Sequence, residues 1–338
     1  MLVTLTGAYK NAGDYLIGHR ARNLLRTHVD SEIVNIDRKS VNENHYEVFN
    51  SARAVLLTGG PAYQAKMFPQ VYSLDLERIN VPVIPFGLGW KGGVDQSPAD
   101  FEFTAQSTDF IRAIHQQPGV VTSCRDFLTQ QVLENVGVSN VLMTGCPAWY
   151  DETKIAQDFV WPTKIRRVVL SMPAHPHAQV WQIMDRLHTV FPRVQKYLSF
   201  QAGYESPHAK DKAKNTAWNK ATIRRGLLRG FRPISFESNF EKFESFMSTV
   251  DFHLGYRVHS HIFSLSQRIP SILIAEDSRG VGQAEAMGTP VRRSHQSGAE
   301  IISSLAQIRD TEGHEIAQAI AAMRERFGVM QEFLQKIA

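Results

Sequence analysis

Short apolar runs alternate with amphipathic stretches from the first residue onward. Leu2 to Leu5, Ile33 to Ile36, Ala54 to Leu57 and Val83 to Phe86 are brief and mostly apolar. Runs of that length read as buried strands. Between the first two, Leu16, Ile17, Ala21, Leu24 and Leu25 recur at helical spacing, which predicts a helix beginning near Asp14. A helix-like region follows from Phe101 to His115, and the runs Val120 to Ser123 and Asn140 to Met143 close this half. A second series comprises Val168 to Ser171, Tyr197 to Ala202, Pro233 to Ser235, Phe252 to Leu254 and Ile272 to Ile274. Strands alternating with helices imply βαβ units and a mostly parallel sheet, an α/β protein.

The stretch from Tyr150 to Pro162 carries mixed charge and no clean period. It marks the expected boundary between a first Rossmann-like domain, residues 1–156, and a second, residues 162–305. Residues 312–338 then form a terminal helix, with Ile316, Ile320, Met323, Phe327, Met330 and Phe333 near one face. That face needs cover.

A length of 338 residues suits two cores rather than one. Hydrophobic residues at 43% and charged residues at 21% belong to a soluble globular chain. No apolar stretch reaches the roughly 18 to 20 residues of a membrane span. Met1 to Gly7 reads as a strand rather than a secretory leader. Cys124 and Cys146 are spaced for neither a metal nor a redox pair, and both sit beside strand-like runs, where a thiol packs as a small hydrophobe. A cytoplasmic protein is the expectation.

The most chemically charged stretch is Gly255-Tyr256-Arg257-Val258-His259. It places an arginine and a histidine two residues apart at the carboxyl end of a strand, where open α/β sheets bind ligands. A fixed cation beside a titratable imidazole suits an anionic substrate that must exchange a proton. The competing reading is that both residues only serve the start of the next helix. Gly7 to Asp14 forms another strand-to-helix loop, with neither a dinucleotide fingerprint nor a P-loop. Asp14 there either caps the helix or faces a ligand. Gly59-Gly60 and Gly87-Leu88-Gly89-Trp90 follow consecutive strands, as tight turns or as ligand contacts. Arg125 either binds an anion or pairs with Asp126. His175-Pro176-His177 offers two imidazoles with no third ligand nearby, so no metal site is expected.

In order along the chain, Asn11-Ala12-Gly13-Asp14, Leu56-Leu57-Thr58-Gly59-Gly60, Pro85-Phe86-Gly87-Leu88-Gly89, Arg125-Asp126, Gly145-Cys146-Pro147-Ala148 and the Gly-x-Arg-x-His step resemble the landmarks of the polysaccharide pyruvyl transferase family. The resemblance implies two Rossmann-like domains in a B-type glycosyltransferase arrangement, with the terminal helix packing back toward the first. It implies phosphoenolpyruvate as donor substrate, no further cofactor, and a saccharide or lipid-linked glycan acceptor that gains a cyclic pyruvate ketal in surface or exopolysaccharide biosynthesis. By the same resemblance His259 is the proton donor, Arg257 holds the donor, and Asp14 accepts a proton from a sugar hydroxyl. Asn11, Gly13, Gly59, Gly60, Gly89, Trp90 and Arg125 would line the acceptor side. His175, His177, Asp277, Arg279 and the turn Gly280-Val281-Gly282 would line the donor side, the turn offering a helix N-terminus to the phosphate.

Three departures bear on the donor. The first strand of the second half runs into Met172-Pro173 with no arginine, Cys146 stands where an aspartate often does, and Arg279 stands where a lysine often does. A nucleotide-sugar glycosyltransferase and a non-catalytic glycan-binding relative are the alternatives. The formal charge is +4. Its excess is concentrated between Lys210 and Arg232, in Lys212, Lys214, Lys220, Arg224, Arg225 and Arg229. That run is a solvated face, a contact for an anionic acceptor, or a contact for an anionic membrane surface, expected near the cleft rim. Without a recognition motif or aromatic platform, nucleic acid is not expected as a partner.

Overall fold

The structure is a computed structural model, and it describes residues 1–7, 11–205, 211–237 and 239–337. Part of the first glycine-rich loop, Ala8-Tyr9-Lys10, and Lys210 of the basic run lie outside the described residues.

The first half contains β1 (Leu2–Thr6), α1 (Ala12–His28), β2 (Ile33–Asp37), α2 (His45–Asn50), β3 (Val55–Thr58), short α3 (Met67–Gln70), β4 (Val83–Phe86), α4 (Ala105–His115), β5 (Thr122–Cys124), α5 (Phe127–Glu134) and β6 (Val141–Met143). Four strands form a parallel sheet in the order β2-β1-β3-β4. β5 and β6 make a parallel pair, joined to the segment after β4 by a bridge between Leu88 and Cys124. β3 is buried at every position, which is why it reads as a continuous apolar run.

The second half contains β7 (Arg167–Ser171), α6 (Gln179–Val190), β8 (Gln195–Phe200), α7 (Lys212–Leu227), β9 (Phe231–Ser235), α8 (Phe240–Met247), β10 (Phe252–Gly255), α9 (Val258–Ser266), β11 (Ser271–Leu273), α10 (Ser278–Ala286), α11 (Gly298–Asp310) and α12 (His314–Ile337). Its parallel sheet has the order β11-β10-β7-β8-β9. In each sheet the chain starts centrally, builds to one side, then crosses to the other. The reversal falls between β1 and β3 in the first sheet and between β7 and β10 in the second. Ligand crevices open at the carboxyl ends of strands at such reversals. Both motif-bearing loops sit there.

α12 returns to the first half, as its apolar face required. Phe333 lies against Phe86 with ring centroids 5.3 Å apart, and Arg53 donates to the Ile337 carbonyl at 3.0 Å. On the way, Arg324 donates to the carbonyls of Ile155 (3.1 Å) and Gln157 (2.9 Å), fastening the connecting segment. Asp151 in that segment accepts from Arg20 of α1 at 2.7 Å and from Gln267 at 2.6 Å.

The basic run departs from its expected place. It forms α7, which crosses between parallel β8 and β9 and therefore runs antiparallel to them. Lys212 and Lys214 stay exposed at the cleft-side end. Arg225 and Arg229 lie at the far end, where both pair with Asp185 and the Arg225 guanidinium sits 5.2 Å from the Trp181 ring centre. Part of the run's charge is thus packed on α6, away from any rim. Among the described residues no helix is long and apolar enough to cross a membrane.

Candidate active site

The second-domain wall begins with a close approach of two strands. Gly255, with φ 148°, ends β10 beside Ser171 of β7. A Cβ on Gly255 would lie 2.4 Å from the Ser171 carbonyl oxygen and 2.6 Å from its nitrogen. Backbone cannot yield there, so Gly255→Ala should cost more than about 2 kcal/mol in a denaturant titration. The turn then lifts Arg257 onto the N-cap of α9, its backbone N–H donating to Ser171 Oγ at 3.1 Å. Its Nε donates to the Met172 carbonyl at 2.7 Å and Nη2 to the Pro173 carbonyl at 3.0 Å. The guanidinium is therefore tied to the loop after β7, and among the described residues its Nη1 has no hydrogen-bond partner. Burial lowers the Arg257 pKa, while Glu276 opposes that shift.

Beneath the turn runs a buried chain of polar contacts. Ser171 Oγ pairs with His253 Nε2 at 2.9 Å, and Ser271 Oγ pairs with the Nδ1 atoms of His253 and His261, each at 2.7 Å. Burial pushes the His261 pKa down to about 3 and that of His253 well below its ordinary value; His115, in the first domain, is also pushed to about 3. A histidine with a depressed folded-state pKa stabilises the fold above its unfolded value and loses that contribution as pH falls toward the folded one. Stability should therefore drop from about pH 6.5 downward, by up to about 1.4 kcal/mol per pH unit for each such histidine. Denaturant midpoints recorded between pH 7.5 and 4 check this; a flat profile contradicts it.

At the cleft floor α1 meets α9. The Ala12 N–H donates across to the Gln201 carbonyl at 3.3 Å. A Cβ at Gly13 would lie 2.5 Å from His259 Nδ1, so glycine is what lets the imidazole lie against α1. Asn11, not Asp14, caps the helix: its side chain accepts from the Gly13 N–H at 3.1 Å. Asp14 is thereby released from capping. Its pKa is raised to about 6 by burial, against the pull of Arg38, Arg279, Arg257 and Asn11. His259 Nε2 is buried with no hydrogen-bond partner among the described residues. Burial and the fields of Arg279, Arg125 and Arg257 lower its pKa to about 3. His259, expected as the proton donor, is thus held neutral by its surroundings, and Asp14 is the group whose pKa lies nearer neutrality. Environments that drive two titratable groups apart in this way mark acid and base assignments.

Asp277, Arg279 and Glu276 complete the second-domain wall. Asp277 caps α10 and holds Arg279 through both carboxylate oxygens, Nε donating to Oδ1 at 2.9 Å and to Oδ2 at 3.0 Å and Nη2 to Oδ2 at 2.6 Å. Gly280 and Gly282 lie inside α10 and form no turn, a correction to the expected phosphate cradle. Both are packing glycines: a Cβ would lie 2.7 Å from Ala275 at the first and 2.7 Å from the Asp126 carboxyl at the second. Glu276 accepts from the Ala174 N–H at 2.9 Å and pairs with His177 at 3.3 Å. His177 in turn stacks on Tyr256, ring centroids 5.7 Å apart. His175 is exposed on the same loop.

On the first-domain side, Gly59 (φ 55°) and Gly60 (φ 81°) both need positive φ. A Cβ at Gly59 would strike Ile17, whereas Gly60 borders open space. Trp90 is only 1% exposed and packs edge-on against Phe101, so its ring offers no platform to a sugar. Arg125 is buried under Gly89, donating to Asp126 Oδ2 at 3.0 Å and to the Trp90 carbonyl at 3.2 Å. Both expected contacts are corrected by burial; Arg125 acts on the site through its charge. Arg38 was missed. It follows β2, reaches over Gly7 to lie 5.2 Å from the Tyr72 ring centre, and is the foremost charge drawing the Asp14 pKa down. Its signal was a cation at the carboxyl end of a strand. Among the described residues no three metal-ligating side chains come together.

Two Rossmann-like domains facing each other across a cleft, with a long last helix returning to the first, define the B-type glycosyltransferase fold. Similar solved structures include a UDP-GlcNAc 2-epimerase from Neisseria meningitidis bound to UDP-GlcNAc (12% identity, 99% of each chain, TM-score 0.57). A glycosyltransferase from Rickettsia africae ESF-5 is similar at 10% identity, over 99% of this chain and 98% of that one, with TM-score 0.54. The S. aureus MnaA–UDP structure is similar at 12% identity over 94% and 90%, with TM-score 0.53. At such identities the likeness speaks for the fold alone. The polysaccharide pyruvyl transferase family model matches residues 11–278, and the chain belongs to that family. It is a transferase. No curated protein matches it in sequence.

Proposed function

We propose that the protein transfers the pyruvyl group of phosphoenolpyruvate to two hydroxyls of a saccharide, releasing inorganic phosphate and leaving a cyclic ketal, in surface or exopolysaccharide biosynthesis. The observation that carries this reading is the pocket that sets Arg257 and Arg279 beside His259, with Asp14 in the field of the same two arginines. An anion with both a carboxylate and a phosphate needs several cations, and Arg257 and Arg279 line the pocket beside His259 while Arg38 stands near Asp14.

Donor binding places negative charge beside His259 and offsets the arginines that depress its pKa. The imidazole then takes up a proton and delivers it to the methylene carbon. The neighbouring carbon becomes an oxocarbenium-like centre, which a sugar hydroxyl attacks while Asp14 takes the hydroxyl proton. The carbon–oxygen bond to phosphate breaks, the arginines retain the leaving anion, and the second hydroxyl closes the ring with loss of its own proton. One proton enters at carbon, two leave the hydroxyls, and the difference departs with phosphate.

Incubation with phosphoenolpyruvate and a glycan panel should release phosphate in step with a pyruvate ketal on one glycan. Phosphate release at the blank level throughout, with consumption of a nucleotide sugar instead, would replace this reading with that of a glycosyltransferase.

A further inference from the structure

Asp14 also lines a second pocket, of about 120 Å³, between α1 and the β1–β2 edge. Its other principal walls are Thr6, Tyr15, Gly18, Arg22 and Asn35, all from the first domain. The pocket around Arg257 and His259 is lined by the second domain apart from Asn11. Asp14 therefore touches one pocket and faces the arginines of the other. A space well below the roughly 300 Å³ of a drug-sized site suits a single sugar-sized group.

Among the described residues the pocket carries a cation without a counter-ion. Arg22 Nη1 donates to Asn35 Oδ1 at 3.3 Å, and among the described residues no carboxylate pairs with this guanidinium. Burial, with Arg26 next in weight, lowers its pKa, as befits a charge that no described carboxylate offsets. A glycine one turn earlier makes the placement feasible. A Cβ on Gly18 would lie 3.2 Å from Arg22 Nη1 and 3.1 Å from Thr6 Cγ2, where the guanidinium now lies back along α1. Asn35 Oδ1 also accepts from Thr4 and Thr6, each at 3.0 Å. Among the described residues the only carboxylate in the lining is Asp14, and Arg38 stands beside it. Hydroxyl, amide and an unpaired planar cation together are recognition chemistry for an oxygen-rich ring bearing an oxyanion.

We propose that this pocket is the acceptor subsite and that it takes a sugar carrying an anionic group, a carboxylate or a phosphate, on or next to the ring to be modified. The subsite deepens the pyruvyl-transfer reading, from which it takes only the term acceptor. Ligand-observed NMR titrations of the wild type, Arg22→Gln and Arg22→Lys with D-glucose, D-glucuronate and glucose 1-phosphate decide it, with phosphoenolpyruvate as a separate arm. At least one of the two anionic sugars should bind the wild type about tenfold or more tighter than glucose, a margin typical of one charge-assisted contact. Which anion is preferred identifies the group. Arg22→Gln should lose the preference, Arg22→Lys should keep part of it, and phosphoenolpyruvate should bind all three proteins alike, with unchanged thermal melts. Equal binding of the three sugars, no binding of either anion, or a preference surviving in Arg22→Gln overturns the subsite. If the preference holds but phosphoenolpyruvate does not bind, the subsite stands and the donor reading fails instead.

Discussion

Asp14→Asn should give a protein that is more stable at pH 7.5 than the wild type and nearly inactive. The carboxyl titrates at about 6 in the fold against an ordinary value of 3.8. A raised folded-state pKa means that the stabilising contribution is fully present below pH 3.8 and is lost as pH rises through 6. Above that window the fold carries an ionised, poorly hydrated carboxylate. Its removal should return about 1 to 3 kcal/mol, since every tenfold change in proton affinity between the folded and unfolded chain is worth about 1.4 kcal/mol. The gain should shrink as pH falls and vanish by about pH 4. Asparagine cannot accept the hydroxyl proton, so kcat should fall by about a hundredfold to ten-thousandfold. Chemical denaturation at both pH values, beside turnover, separates the two effects. A variant that is less stable at pH 7.5, or one that turns over normally, removes Asp14 from the chemistry.

The second large effect is expected at Arg257. Arg257→Ala should raise the donor KM by about a hundredfold or more, since it removes a fixed cation from a desolvated pocket. The structure adds a reason why lysine should not rescue it. Two guanidinium N–H groups already hold the Met172 and Pro173 carbonyls at 2.7 and 3.0 Å, and a third is needed for the ligand. An ammonium on a flexible stem cannot serve three directions set by one plane. Arg257→Lys should therefore also loosen the loop after β7, costing about 1 to 3 kcal/mol of stability from unpaired carbonyls. Full recovery of donor KM in Arg257→Lys, measured with phosphoenolpyruvate varied at saturating acceptor, would contradict the assignment.

The strands were legible because parallel strands covered on both faces leave unbroken apolar runs; β3 and β7 are examples, buried at nearly every position. Gly255-Tyr256-Arg257-Val258-His259 was legible for a related reason, since a strand ending in glycine and followed by polar residues marks a crevice. What the chain does not write locally is burial. Trp90 looks like a sugar platform beside its glycines, yet packing against Phe101 hides it. Gly280 and Gly282 look like a loop, yet they are spaces in a helix made for Ala275 and Asp126. The basic run looks uniform, yet Asp185, from a helix far upstream, claims Arg225 and Arg229. The pKa order of Asp14 and His259 was hidden most deeply. Burial sets it, raising one pKa and lowering the other; Arg279, Arg125 and Arg257 add to the lowering at His259, while Arg38, Arg279 and Arg257 oppose the rise at Asp14, and only the fold brings these groups together.

The central claim is that the arginine-lined pocket takes phosphoenolpyruvate and that His259 is thereby converted into an acid. Histidine NMR resolves the imidazole of His259 against pH, with and without saturating phosphoenolpyruvate, and Arg257→Ala supplies the control. The resonance should titrate near pH 3 in the free protein and move up toward neutrality in the complex, with no such movement in Arg257→Ala. A His259 titration that stays near pH 3 while phosphoenolpyruvate saturates the protein, or a protein that phosphoenolpyruvate does not saturate at all, contradicts the claim.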